Sequence, residues 1–223
     1  RHNLKRADMH MDINIAKKII DEVDFHGIEG LWLYNLGESF MYPHLDEVFD
    51  YLRFKKNLGF IWFSTNGHMM TDKNIDRLLD SPVTHLNYSL HSTNEEIFEK
   101  VSPTGDYKTV KGNFDRLVEK IKAADNPPIL HLQMIEQSMT RDITSEFLKL
   151  YHNMSDIVSI NLLEYASLPN NKYGISSRSR KQVSNCRRLM RGDCFVLSDG
   201  DVEPCDAAYN WELSLGNVNE SNL

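Results

Sequence analysis

The chain has 223 residues, with 25 Lys and Arg against 32 Asp and Glu for a formal charge of −7, and 41% hydrophobic residues that include ten Phe, nine Tyr and three Trp. That content sustains one sizeable domain with at most a small appendage, and it excludes a disordered chain. No apolar run approaches the roughly 18 residues of a membrane span, Arg1–Asp12 carries no signal-peptide pattern, and the acidic balance argues against nucleic acid as the main partner.

Hydrophobic spacing predicts alternating helices and strands. Asp12 opens a helix whose residues Ile13, Ala16, Ile19, Ile20 and Val23 share one face. Gly27 and Gly30 end it, and Gly30–Asn35 is a short strand. A helix after Pro43 carries Leu45, Val48, Phe49 and Leu52, and Gly59 leads into a strand at Phe60–Ser64. Thr71-Asp72 starts a helix through Ile75, Leu78 and Leu79, followed by a strand over Val83–Leu90. Glu95–Val101 reads as a helical turn or two, broken at Pro103 and Gly105, before a clear amphipathic helix through Val110, Phe114, Leu117, Val118 and Ile121. Pro127-Pro128 punctuates it, Ile129–Ile135 is a strand, Ile143, Phe147, Leu150 and Tyr151 mark a helix, and Ile157–Leu163 is the fifth strand.

Five strands separated by helical crossovers imply a parallel α/β sheet, and the strands read as apolar on both faces. The series starts on a helix, so a first strand is expected upstream of Arg1. Residues 166–185 are rich in Ser, Asn, Arg and Lys and read as a linker. The basic residues Arg178, Arg180, Lys181, Arg187, Arg188 and Arg191 form either a solvated loop or an anion contact. Phe195–Pro204 reads as a hairpin turning at Asp199-Gly200, and Asn219-Glu220-Ser221-Asn222 as the start of a helix.

Polar residues recur at the carboxyl ends of all five strands, the end at which ligands bind in parallel α/β folds. Asn35-Leu36-Gly37-Glu38-Ser39 offers a backbone that a ligand can approach at Gly37 and a carboxylate for an ammonium group at Glu38. Ser64-Thr65-Asn66-Gly67 offers uncharged hydrogen-bonding groups, and Ser89, Gln133 and Asn161 lie at the ends of the next three strands, with His91, Glu136 and Glu164 beside them. Taken singly, these segments are better read as turns or satisfied structural residues; their convergence points to one site over the mouth of a barrel.

The three cysteines, Cys186, Cys194 and Cys205, all fall in the last fifth of the chain. Their odd number and missing framework argue against disulfides and for a reducing, cytoplasmic compartment. Two thiols brought together at the open end of a hairpin suit zinc or an iron–sulfur cluster, and the spacing is not the close pairing of a zinc ribbon.

Together these segments resemble the radical S-adenosylmethionine (radical SAM) enzymes that carry a C-terminal twitch or SPASM extension. Tyr34–Ser39 is similar to the family's Gly-Gly-Glu-Pro segment, departing at Asn35, Leu36 and Ser39. Phe63–Gly67 and Asn87–His91 are similar to its third- and fourth-strand endings. Cys186, Gly200 and Cys205 fit the Cys, Gly-x4-Cys opening of the extension, and Leu215–Val218 the segment after it. The resemblance implies a partial (β/α)6 TIM-like barrel over residues 1–165 lacking its first strand, the linker, and an auxiliary-cluster hairpin/helix segment over 186–223. It implies S-adenosylmethionine held by Gly37, Glu38, Ser64, Asn66, Ser89, Gln133 and Leu163, and an auxiliary [4Fe–4S] cluster on Cys186 and Cys205, with Cys194 a bystander.

The family's Cys-x3-Cys-x2-Cys motif, which holds the cofactor-cleaving [4Fe–4S] cluster, does not occur in these 223 residues. Val101-Ser102-Pro103 stands where relatives often carry an Arg that reaches the cofactor carboxylate. The implied activity is hydrogen abstraction by a 5′-deoxyadenosyl radical from a small-molecule or sugar-like substrate (dehydrogenation or epimerisation). Peptide maturation, or a non-catalytic barrel acting as a binding module, are the other readings. A flavodoxin or ferredoxin reductant and His68, His91 or Glu136 as proton acceptor are further expectations.

Overall fold

The computed structural model describes residues 5, 9–137, 139–164, 190–206, 208, 210 and 212–221, except 155, with the backbone path alone at 161–164. The linker, Cys186 and most of the basic cluster lie outside the described residues.

Asp12 caps the first helix, α1 (Ile13–Phe25), by accepting from the amide of Asn14 at 2.7 Å. Strand β1 (Gly30–Trp32), helix α2 (Leu45–Leu52), strand β2 (Phe60–Thr65), helix α3 (Asp72–Leu79) and strand β3 (His85–Ser89) follow in alternation. Helices α4 (Glu95–Val101) and α5 (Tyr107–Ala123) form the longer excursion, and strand β4 (Ile129–Glu136), helix α6 (Thr144–His152) and strand β5 (Val158–Glu164) complete the series. Side-chain oxygens of Thr71, Asn94 and Asp106 cap α3, α4 and α5 at the positions where Ser, Thr, Asn or Asp can satisfy the free first-turn amides.

The five strands pair in parallel in sequence order, β1-β2-β3-β4-β5. A crossover that always steps in one direction returns its helix to one face of the sheet. The alternation along each strand follows: Ile61, Phe63, Leu86, Tyr88, Leu130, Leu132 and Met134 are buried in one cluster with Val48, Phe49, Ile75, Leu78, Phe114, Leu117 and Phe147 of the helices. The opposite, inner face corrects the expectation of strands apolar on both sides. It carries Phe60, Trp62 and Ser64 on β2, His85, Asn87 and Ser89 on β3, and His131 and Gln133 on β4, mostly half-buried. The rings of Trp62, His85 and His131 stack there, with centroids 4.6 and 4.4 Å from the indole.

The C-terminal segment is a separate three-stranded antiparallel sheet, β6 (Phe195–Val196), β7 (Asp201–Glu203) and β8 (Gly216–Asn217). The hairpin turn is one residue longer than the Asp199-Gly200 corner read from sequence. Gly200 donates to the carbonyl of Leu197 and has φ +89, and Leu197 donates to Asp201, a turn closed by a left-handed glycine. Residues 219–221 form turns rather than the start of a helix.

This sheet packs on α1, and that divides the apolar face expected of the helix. Ile13, Ala16 and Ile20 face the main core, whereas Ile15, Ile19 and Val23 meet Val196, Val202 and Val218. The Lys18 ammonium donates to the carbonyls of Val218 and Ser221. No described helix is long and apolar enough to cross a membrane.

Phe114 is fully buried between Tyr88 and Tyr151, edge to face with both. Phe114→Ala is expected to lower unfolding free energy by about 3–5 kcal/mol, read as a lower urea midpoint with an unchanged slope.

Candidate functional site at the mouth of the barrel

The site is built around Glu38, which follows β1 and precedes a 3₁₀ turn at Ser39–Met41. Its Oε1 accepts from the Thr65 hydroxyl at 2.9 Å and the Phe40 amide at 3.3 Å, and its Oε2 accepts from the Asn66 amide at 2.7 Å. Burial pushes the carboxyl above its ordinary range, and these three donors offset only part of that shift. A carboxylate has about four acceptor positions, so donors among the described residues fill three and leave one on Oε2.

The end of β2 and the loop after it, which supply Thr65 and Asn66, are held in place by packing and hydrogen bonds. Gly67 has φ +83, and a Cβ there would lie 2.3 Å from the Tyr88 hydroxyl, so only glycine fits. The buried Tyr88 hydroxyl donates to the Val110 carbonyl at 2.6 Å, and the buried Asn113 amide donates to the carbonyls of Gly67 and His68 at 2.7 and 3.3 Å. Thr65 also accepts from the Gly67 amide at 3.1 Å. Sequence reasoning placed Thr65 in the candidate segment Ser64–Gly67 without singling it out, and it passed over Asn113.

The other candidates fall on the same rim. Gly37, exposed with φ +116, directly precedes Glu38. Ser64 lies on the inner face and accepts from Asn87 Nδ2 at 3.0 Å. Asn66 is exposed, and its side chain accepts from the His68 amide at 3.0 Å. Ser89 and Gln133 are register partners on the inner face, and Leu163 is the register partner of Ile135, its side chain outside the described residues. His91 sits beyond β3, where burial pushes its imidazole down to about 4, leaving it neutral. Cys205 follows β7 and is half-buried, its thiol 3.6 Å from Asp206 Oδ1; Cys194 is exposed.

Two family models match. The radical SAM superfamily model covers residues 2–141, and the iron–sulfur cluster-binding SPASM domain model covers residues 186–223. The chain belongs to the radical SAM superfamily. No curated protein matches it, but solved structures share its fold. BtrN in complex with AdoMet and 2-DOIA aligns with TM-score 0.59 at 15% identity, over 98% of this chain and 70% of that one. The structure of native anSMEcpe with bound AdoMet and Kp18Cys peptide aligns with TM-score 0.70 at 14% identity, over 98% and 72%. Streptococcus suis SuiB bound to S-adenosylmethionine aligns with TM-score 0.54 at 14% identity, over 98% and 59%.

S-adenosylmethionine and [4Fe–4S] clusters are the cofactors of these two kinds of segment. The donor set of this radical SAM chain fits the first. A desolvated carboxylate with one open acceptor position calls for an ammonium group, and Ser64, Ser89 and Gln133 add neutral hydrogen-bonding groups on the inner face. The Cys-x3-Cys-x2-Cys triad that would hold the cofactor-cleaving cluster does not occur in these 223 residues.

The raised Glu38 carboxyl makes stability pH-dependent. The folded state keeps its proton above the unfolded value of 4.5, so Glu38's contribution is most favourable below that value and declines as pH rises through the folded midpoint. Thr65→Val, which deletes a donor to the carboxylate, should move the Glu38 midpoint further up in a carboxyl ¹³C NMR titration. An unmoved or lowered midpoint would show that Thr65 does not stabilise the charged form.

Proposed function

We propose that residues 1–165 are the cofactor-binding barrel of a radical SAM enzyme, 166–185 its linker and 186–223 its auxiliary-cluster segment. The reaction is hydrogen abstraction from a small-molecule or sugar-like substrate, leading to dehydrogenation or epimerisation. The observation that carries this reading is the half-buried Glu38 carboxylate, three-quarters satisfied by its own chain, at the rim shared with Ser64, Ser89 and Gln133.

When bound and reduced at its cluster, S-adenosylmethionine supplies a 5′-deoxyadenosyl radical. The chain's own residues bind and orient. Glu38 accepts from the cofactor's ammonium group, and Gly37 allows the backbone a close approach. Ser64, Asn66, Ser89 and Gln133 hydrogen-bond its polar groups, and Leu163 lines the adenosyl side. Holding the reacting groups in one geometry is the larger part of what such a scaffold contributes. His91, neutral and buried beside this rim, suits a proton acceptor better than a charged imidazole would. Cys186 and Cys205 would ligate an auxiliary [4Fe–4S] cluster, and a flavodoxin or ferredoxin would deliver electrons.

The SPASM match at 186–223 favours peptide modification as the second reading. The solved relatives supply both precedents, since BtrN is described with 2-DOIA and anSMEcpe with a peptide.

Glu38→Gln keeps the shape and removes the charge. It should weaken S-adenosylmethionine binding about 10- to 100-fold by isothermal titration, the size of one charged hydrogen bond; an unchanged affinity would remove Glu38 from the site. Cys205→Ala in anaerobically reconstituted protein should lose about four irons per chain and the matching visible absorbance while S-adenosylmethionine binding persists. Unchanged iron content would mean that Cys205 holds no cluster.

A further inference from the structure

Among the described residues, three buried polar atoms on the inner face of the sheet have no hydrogen-bond partner: Trp62 Nε1, Asn87 Oδ1 and His131 Nε2. They lie on three consecutive strands in one patch. Asn87 is the register partner of Ser64 on one side and of His131 on the other, and the His131 ring stacks on Trp62 at 4.4 Å. Asn87 is 4% exposed. Its amide nitrogen is already used, donating to Ser64 Oγ at 3.0 Å, which leaves the oxygen as the unpartnered atom.

Buried polar atoms are normally paired, and a patch that leaves three of them open on adjacent strands needs a guest. The chemistry of the set defines it. The indole nitrogen only donates, the amide oxygen only accepts, and the imidazole nitrogen does either according to its tautomer. Burial pushes the His131 imidazole down, and the neighbouring His85 adds to that effect, so the patch carries no charge for an ion. A cation would face the indole N–H, an anion the amide oxygen, and an apolar guest would leave all three unpaired. Water, neutral and able both to donate and to accept, meets the requirement, since a buried water typically takes two to four such partners.

We propose that Trp62, Asn87 and His131 form a buried water site inside the barrel, one layer below the rim, and that this water fixes the Asn87 amide in the orientation that holds Ser64. The proposal needs no cofactor, so it stands or falls separately from the reading of the rim.

A crystal structure of the full chain at about 1.5 Å should show an ordered water within roughly 3.2 Å of at least two of the three atoms. A dry patch, or the three side chains rotated onto one another, would overturn it. His131→Phe keeps the stacked ring and deletes the nitrogen. It should abolish or displace the water and shift the Trp62 indole proton upfield in ¹⁵N-resolved NMR spectra. Asn87→Ala should shift the same resonance and release Ser64 from its single conformer. If His131→Phe fails to fold, Asn87→Ala supplies the resonance on its own. An indole signal unmoved in a folded variant would refute the shared water.

Discussion

Taking the Glu38 carboxylate partly out of water, with no cation among the described residues paired to it, is the constraint on which the mouth of this barrel depends. A buried carboxylate left to itself would simply stay protonated. Here two amides and a hydroxyl reach it, and two of those three donors are consecutive, Thr65 at the end of β2 and Asn66 at the start of the short loop after it. The loop must therefore be placed accurately, and its placement is what Gly67, Tyr88 and Asn113 accomplish. The positive φ at Gly67 turns the chain, the tyrosine ring occupies the space a Cβ would need, and Asn113 ties down the loop carbonyls from α5. Packing in the helical layer is thus transmitted to the site through the Tyr88–Val110 hydrogen bond. The donors are too few to restore the carboxyl to its ordinary range.

The same division of labour runs through the sheet. Because side chains alternate across a strand, a single residue decides between core and site. Phe63 and Thr65 point to the helices, while Ser64 between them points inward. Tyr88 closes the outer layer, while Asn87 and Ser89 on either side of it face the interior. A one-residue slip in the pairing of β2 with β3 would exchange these sets, burying serine and asparagine among leucines and exposing phenylalanine. The parallel register is accordingly well defended by burial on the helix side, and the inner face is free to be polar without endangering the fold.

Much of this was legible in the sequence where periodicity and turn chemistry agree. The helix at Val110–Ile121, the strand at Phe60, the cap at Asp12 and the glycine corner at Gly67 follow from local rules that the tertiary structure does not override. The convergence of Glu38, Ser64, Ser89 and Gln133 followed from strand direction alone. What was not legible depends on partners distant in sequence. Thr65 sits on the helix-facing side of its strand, and nothing local tells that its hydroxyl reaches back to Glu38. Trp62, His85 and His131 read as strand formers because their inward stacking requires three strands in register. Strand β8 is two residues long, too short for alternation to appear, and exists only because β7 pairs with it.

Helix α1 shows why an apolar count misleads when two bodies share an element. Its residues Ile13 to Val23 seemed to compose one stripe serving one core, yet they serve two. The second stripe, through Ile15 and Ile19, has value only once Val196, Val202 and Val218 cover it. Lys18 completes that contact by offering its ammonium to the carbonyls of Val218 and Ser221, just beyond β8. The helix therefore joins the small sheet carrying Cys205 to the wall that carries Glu38. Changes in α1 would reach both the main core and the small sheet.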